Sequence, residues 1–295
     1  MIINEIENKL LNLGVFNVNF DKLHSKILSS KQVFVSKNLQ NEAKKLWIYE
    51  QIITIHKEYN LCFKLLKEKS YYSAWCKLET IEIYFSNLQR HFSYNETKYK
   101  LFHIEKSVKN LQTVYPYRLF TSHEIVEKET KCSVCDKKTL IRNNCGHKVG
   151  EIYNGKMCHK IVTDFEVLGF AIVENPVDKY TVLFSTDPNT NKKKDQYNYA
   201  ALDYFISVVS NPYEPWDLIV HDKYLPHENF KNHRADDYCP CNSSKKYGEC
   251  CLEEKGIKYL HYEYIVKIPL NKQFFSNTLK YPKTTNLLNT TFKNV

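Results

Sequence analysis

Eight of the ten cysteines in this 295-residue chain fall into two tight groups. Cys132, Cys135, Cys145 and Cys158 form the first, and Cys239, Cys241, Cys250 and Cys251 the second. Thiolates at such spacings are soft ligands that can converge on a tetrahedral zinc ion at about 2.3 Å, without a large core to position them. Disulfide pairing fits less well. Adjacent cysteines such as Cys250 and Cys251 do not readily bridge each other. Residues Met1 to Gly14 mix Glu, Asn and Lys into their apolar positions, so no secretory signal argues for an oxidising compartment. The expectation is a cytoplasmic protein with two structural zinc sites. Cys62 and Cys76 lie outside both groups and read as core filler.

The first group opens with Cys132-Ser133-Val134-Cys135 and continues with Cys145-Gly146-His147. Cys158 and His159 follow, which leaves six candidates for four places. The opening spacing is superficially that of a RING finger, but a RING needs eight ligands around two metals. A single zinc-ribbon or treble-clef-like site fits better, with Cys132, Cys135 and Cys145 as ligands and His147 and Cys158 competing for the fourth place. Gly146, Gly150 and Gly155 suit the tight backbone of such a site. A thioredoxin-type redox pair would need a strand before Cys132 and a helix opening at it. The charged flanks, Glu127 to Lys131 and Asp136 to Lys138, read instead as loop.

The second group runs Cys239-Pro240-Cys241, then eight residues, then Cys250-Cys251. This stretch resembles the SEC-C motif, the zinc-binding tail element first associated with the SecA translocation ATPase. Ser243, Lys245, Lys246 and Tyr247 match the usual core between the cysteine pairs. Asn242 and Ser244 stand where glycines are usual, and Gly248 and Glu249 replace common lysines, which reduces the basic character. The resemblance covers about fifteen residues. It implies zinc on Cys239, Cys241, Cys250 and Cys251 and a bacterial protein. It carries no reaction, and the element's role in the translocase is contact with a chaperone, ribosomes or lipid. The chain has no Gly-x-x-x-x-Gly-Lys-Ser/Thr loop, so it is not a translocase motor.

A third constellation precedes the SEC-C-like stretch: His221, Asp222, His227, Glu228, His233, Asp236 and Asp237. A hydrolytic metal centre could draw on such residues. His233 does not follow Glu228 at metalloprotease spacing, however, and Pro226 and the polar neighbours suit an exposed loop. No Gly-x-Ser-x-Gly elbow occurs elsewhere. No catalytic and no organic-cofactor residue is assigned.

The elements that must carry these groups differ between the two halves. Tyr49, Ile52, Ile53, His56, Tyr59, Phe63 and Leu66 recur at helical spacing, and Ser70 interrupts them. A second stripe runs from Tyr71 to Phe92, and a third holds Leu101, Ile104, Val108 and Leu111 before Pro116 stops it. Shorter helices are expected at 2–13 and 20–29. Beyond Thr121 the composition changes. Glu166 to Glu174 and Tyr180 to Ser185 read as the two strands of a hairpin about Asn175-Pro176. The lysine run 192–194 reads as a solvated loop. A helix is expected at 197–210 and a strand at 259–268, with a polar tail that frays or docks as an extended arm.

The formal charge of +9 arises from 42 basic and 33 acidic residues, only four of the basic ones being arginine. Lysine offers point charges rather than bidentate readout. The thiolates of two loaded sites outweigh their two dications and would lower the charge further. The expected fold is therefore α+β: a helical domain over 1–120, a zinc-binding α+β domain over 121–270, and a polar tail over 271–295. Within the second domain lie a zinc-ribbon-like site at 131–160 and the SEC-C element at 237–252. The leading function is a zinc-binding adaptor for protein or ribonucleoprotein partners. The alternatives are a sequence-independent nucleic-acid binder and a metal-dependent hydrolase using 221–237. No apolar run approaches the roughly 18 residues of a membrane span.

Overall fold

Long helices dominate the first half because its apolar residues recur at steps of three and four over many turns. The computed structural model describes residues 2–14, 18–96, 98–140, 142, 145–241, 243 and 245–266, with the backbone of 290–294. Five helices come first: α1 (Ile2–Leu11), α2 (Phe20–Ser36), α3 (Gln40–Lys67), α4 (Tyr71–Gln89) and α5 (Leu101–Val114). Helix α3 is the core of this bundle. It buries Leu46, Trp47, Tyr49, Ile52, Ile53, Ile55, Tyr59, Phe63 and Leu66, residues on more than one face, because α2 and α4 both pack on it. Asn38 and Lys69 end α2 and α3 in left-handed conformation, at φ 54° and 57°. The Ser70 N–H then caps back to the Leu65 carbonyl at 2.9 Å, which lets the chain reverse tightly.

Two long strands follow in an antiparallel ribbon: β1 (Phe120–Cys132) and β4 (Lys160–Val173), with Phe120 opposite Val173 and Cys132 opposite Lys160. Between them lies the small hairpin of β2 (Ile152–Tyr153) and β3 (Lys156–Met157). A second small hairpin pairs β5 (Ser185–Thr186) with β6 (Lys193–Lys194). The last part holds α6 (Ala200–Val208), β7 (Trp216–Leu225), β8 (Ile257–Val266) and β9 (Thr290–Asn294). β7 and β8 are antiparallel, and β9 adds to β8 in parallel, with Thr290 opposite Tyr262. Phe205 of α6 sits 4.5 Å from Trp216 and 5.7 Å from Tyr264 between ring centroids, and the Tyr264 hydroxyl donates to the Ala201 carbonyl.

The architecture is α+β. It divides into two compact units, one of residues 1–112 and 117–197 and one of 113–116 and 198–295. The first cysteine group thus shares a unit with the helices, and the second lies with the three-stranded sheet. Among the described residues, no helix is long and apolar enough to cross a membrane.

Four local expectations are corrected. Residues 166–174 do not form a hairpin with 180–185; β4 pairs with β1, and 181–183 attach to the start of β1 through Thr121 N–H to Thr181 O and Leu183 N–H to Leu119 O. The charged flank Glu127 to Lys131 is strand rather than loop, because an exposed two-stranded ribbon sets no demand for apolar alternation along it, whereas 136–138 lies outside the strand as expected. His221 and Asp222 likewise lie in strand β7, not in a loop. The lysine run is only partly free: Lys193 Nζ lies 3.5 Å from the centre of the Phe184 ring and 4.4 Å from that of Tyr72. Of the tail, 290–294 docks as a strand, while 267–289 and 295 lie outside the described residues.

Candidate metal centres

The first centre is built at the end of β1. There the chain turns sharply: the Asp136 N–H donates to the Cys132 carbonyl at 2.9 Å, and Asp136 itself is left-handed at φ 57°. The Val134 N–H points at Cys132 Sγ, 3.4 Å away. This backbone donor is the main reason the Cys132 thiol is held down to about 6, against an ordinary value near 8.5. A knuckle of this kind presents a thiolate ready for a cation.

The remaining donors come from the loop and hairpin between the long strands. Gly146 takes φ +80° between Cys145 and His147. The His147 ring stacks edge-on against Tyr153 at 4.7 Å, and the Tyr153 hydroxyl accepts from the Lys148 N–H. Asn154 and Gly155 turn the hairpin, both with positive φ (48° and 65°), the pattern of a type I′ turn. The β2–β3 hairpin returns the chain to Cys158, whose N–H donates to the Glu151 carbonyl and whose carbonyl accepts from the Gly150 N–H. Ser133 and His159 exchange two further hydrogen bonds, so the knuckle and Cys158 are stitched together.

The donor atoms of Cys132, Cys135, Cys145 and His147 all lie within 4.8 Å of one another, and this group could hold a metal ion. Cys158 is equally close to Cys132. Its Sγ stands 3.8 Å away, against 3.7 Å for His147 Nδ1. His147 thus belongs to the group of four mutually close donors, while Cys158 approaches it at Cys132. Burial, and then the neighbouring Cys132, push the Cys158 thiol up to about 11, so it is the more reluctant thiolate until a cation arrives.

Helices of the same unit brace this centre. The Gln40 side chain donates to Asn154 Oδ1 at 2.8 Å and accepts from the Asn154 N–H at 3.0 Å. His91 Nε2 donates to the Gly150 carbonyl at 2.7 Å, and its ring meets Trp47 edge-on at 5.5 Å. Neither Gln40 nor His91 is foreseeable from local sequence, because each lies far along the chain from what it holds.

The second centre sits between β7 and β8 in the other unit. After Leu225 a 3₁₀ turn over His227–Phe230 leads to Cys239. Cys239 N–H donates to the Lys245 carbonyl, Tyr247 N–H to Asp237 and Gly248 N–H to Ala235, each at 2.8 Å. Gly248 packs so close to Ala235 that an added Cβ would stand 3.1 Å from the alanine Cβ. A second 3₁₀ turn, Tyr247–Glu249, delivers Cys250 and Cys251. The four thiols of Cys239, Cys241, Cys250 and Cys251 lie within 4.8 Å of one another and form the second group that could hold a metal ion.

Burial opposes ionisation of Cys241, but the Ser243 hydroxyl and the neighbouring thiols hold it down to about 7. Cys239 is pushed well up by burial. Ser243 Oγ also lies 3.1 Å from Cys250 Sγ. Cys239, Tyr247, Cys251 and Ile257 form a miniature core, with Leu225 and Phe230 packed against it.

The 221–237 constellation is dispersed. His227 Nε2 faces the Glu254 carbonyl at 2.8 Å, so it must be the protonated nitrogen, and Nδ1 accepts from the Tyr247 hydroxyl at 2.5 Å. Both ring nitrogens are thus spent on holding the knuckle. His221 pairs with Glu263 across the strands, Asp222 with Lys258, and Asp236 with Lys246. Among the described residues, groups of three or more convergent Cys, His or carboxylate donors occur at the two cysteine centres alone.

Compared with known proteins, the chain matches no protein-family model, no curated protein and no solved structure.

Proposed function

We propose that this chain is a zinc-binding adaptor for macromolecular interaction, with one structural zinc in each centre and a protein or ribonucleoprotein partner. The observation that carries the reading is closure: each centre supplies at least four protein donors, so a tetrahedral ion would keep no position for water or substrate. A zinc held there supplies folding energy rather than Lewis-acid chemistry. Thiolate-rich donor sets favour zinc over the harder cations, which prefer oxygen ligands. In the first centre Cys132, Cys135, Cys145 and either His147 or Cys158 would hold the ion; in the second, Cys239, Cys241, Cys250 and Cys251.

The partner class rests on the SEC-C resemblance of 237–252. Metal analysis of the purified chain should give about two zinc ions per molecule, and a value near zero sinks the zinc assignment. An affinity pull-down comparing wild type with Cys250→Ser tests the partner. A protein captured by wild type and lost with the variant supports an adaptor, and equal recovery from both overturns it. Capture of RNA that falls steeply with salt would replace the adaptor by the nucleic-acid reading.

A further inference from the structure

The β1–β4 ribbon is amphipathic across its two faces, and a bulge makes it so. Directly opposed residues of an antiparallel pair project to the same face. Phe165 and Val167 oppose Glu127 and Ile125, while Phe170 and Ile172 oppose His123 and Thr121. In a regular strand 165 and 167 would face one way and 170 and 172 the other. The register shift at Leu168, where β4 carries one extra residue, restores the phase and brings all four onto one face beside Ile125.

The opposite face carries Ser122, Glu124, Gly169 and Ala171, with Val126 beside Glu166. The apolar face is bare: Phe170 is 79% exposed, Ile172 64%, Phe165 55% and Val167 45%, with Leu168 at the bulge 55%.

We propose that this face is a homodimerisation surface, covered by the same face of a second copy of this chain. The area is right for it. The exposed parts of these side chains amount to roughly 600 Å² of apolar surface, at the upper limit of what a monomer leaves open. A stable interface buries about 800 Å² per partner, a little over half of it apolar, so one stripe packed on its twin suffices. The stripe is self-complementary, and its flanking charges are already matched within the ribbon: Lys160 holds Glu127 and Lys128 holds Glu166, each at 2.8 Å. Two ribbons crossing at the angle of packed sheets, about 10 Å apart, give a four-stranded sandwich closed by a two-fold axis.

Sedimentation equilibrium on the full-length, metal-loaded protein should give twice the monomer mass in the micromolar range. Phe170→Asp should weaken the dimer at least ~30-fold, the loss expected of a central aromatic anchor. Deleting Leu168 removes the phase shift without adding a charge, and it should also yield monomer. Val126→Asp, on the other face of the same ribbon, should leave the dimer intact. Circular dichroism and unchanged metal content show that each variant folds. A wild type that stays monomeric at high micromolar concentration overturns the proposal. So does a dimer insensitive to folded Phe170→Asp, or one equally sensitive to Val126→Asp.

Discussion

The two candidate metal centres bring their donors together in opposite ways. The second is local: its four thiols, its supporting hydrogen bonds and its miniature core all come from about thirty consecutive residues between β7 and β8. The first is assembled. Its donors are spread between the ends of two long strands, and Gln40 and His91 hold its hairpin from the helices. A local centre has little apolar surface to fold on without its ion, whereas an assembled centre inherits order from its scaffold. The first centre also has a spare thiol nearby, since Cys158 Sγ stands 3.8 Å from Cys132 Sγ outside the group of four mutually close donors.

Matched substitutions test this contrast most strongly. Cys241→Ser in the second centre should unfold 235–256, because a structural zinc supplies roughly 10–16 kcal/mol of apparent binding energy and a core of a few side chains cannot replace it. Hydrogen exchange should show lost protection confined to that stretch, with the helices protected as before. Cys158→Ser in the first centre should retain the metal, with His147 completing the set, and leave 145–160 protected. Cobalt substitution would report the donor count through the intensity of the thiolate charge-transfer bands. Loss of metal from Cys158→Ser would place Cys158, rather than His147, in the fourth position.

Acid offers a second way to separate the centres, because the scaffold of the first has its own weakness. His56 is fully buried in α3, and its Nε2 donates to the Tyr99 carbonyl at 2.8 Å. Burial lowers it to about 4 from an ordinary 6.5; the hydrogen bond to Tyr99 opposes the shift, and the nearby charges of Lys100 and His103 add to it. A histidine depressed in the folded state binds its proton preferentially in the unfolded one. Stability is therefore complete above pH 6.5 and falls as the pH drops from about 6.5 to about 4, by about 3 kcal/mol in all. Urea unfolding of the helical unit at pH 7 and pH 4.5 should show most of that loss, and His56→Gln should flatten it. If the first centre depends on the helices, its hydrogen-exchange protection should fall in the same pH window. A centre held only by its own ligands would instead follow thiolate protonation.

What could be read from residue order alone divides along the same line. The second centre was legible because spacing within a short stretch nearly determines which thiols meet, as Cys239, Cys241, Cys250 and Cys251 do. The helices were legible from periodicity, with α3 and α4 separated at Ser70 as expected. In the first centre the donors could be named, but not the fourth ligand. The choice depends on how the Asn154–Gly155 turn returns Cys158 to the knuckle, a tertiary matter. The pairing of β4 with β1 was hidden for a different reason. Charged, exposed strands such as Glu124 to Lys131 carry no burial pattern, and partners forty residues apart leave no turn signal between them. His227 looked like a ligand candidate because composition cannot distinguish a metal donor from a residue whose two nitrogens bind Tyr247 and Glu254.

The finest test concerns the brace itself. Gln40 closes a two-point hydrogen-bonded clamp on Asn154 from the first turn of α3. Gln40→Ala removes both bonds without touching a ligand or the helical core, and each exposed hydrogen bond is worth about 1 kcal/mol. The helices should keep their melting temperature to within a few degrees, while the first centre should release zinc to a chelator several-fold faster and the second at an unchanged rate. The second centre serves as the internal control, since it shares the solution and the metal but not the brace. Equal release rates from both centres in the variant would mean that the hairpin holds itself, and the first centre would then be as local as the second.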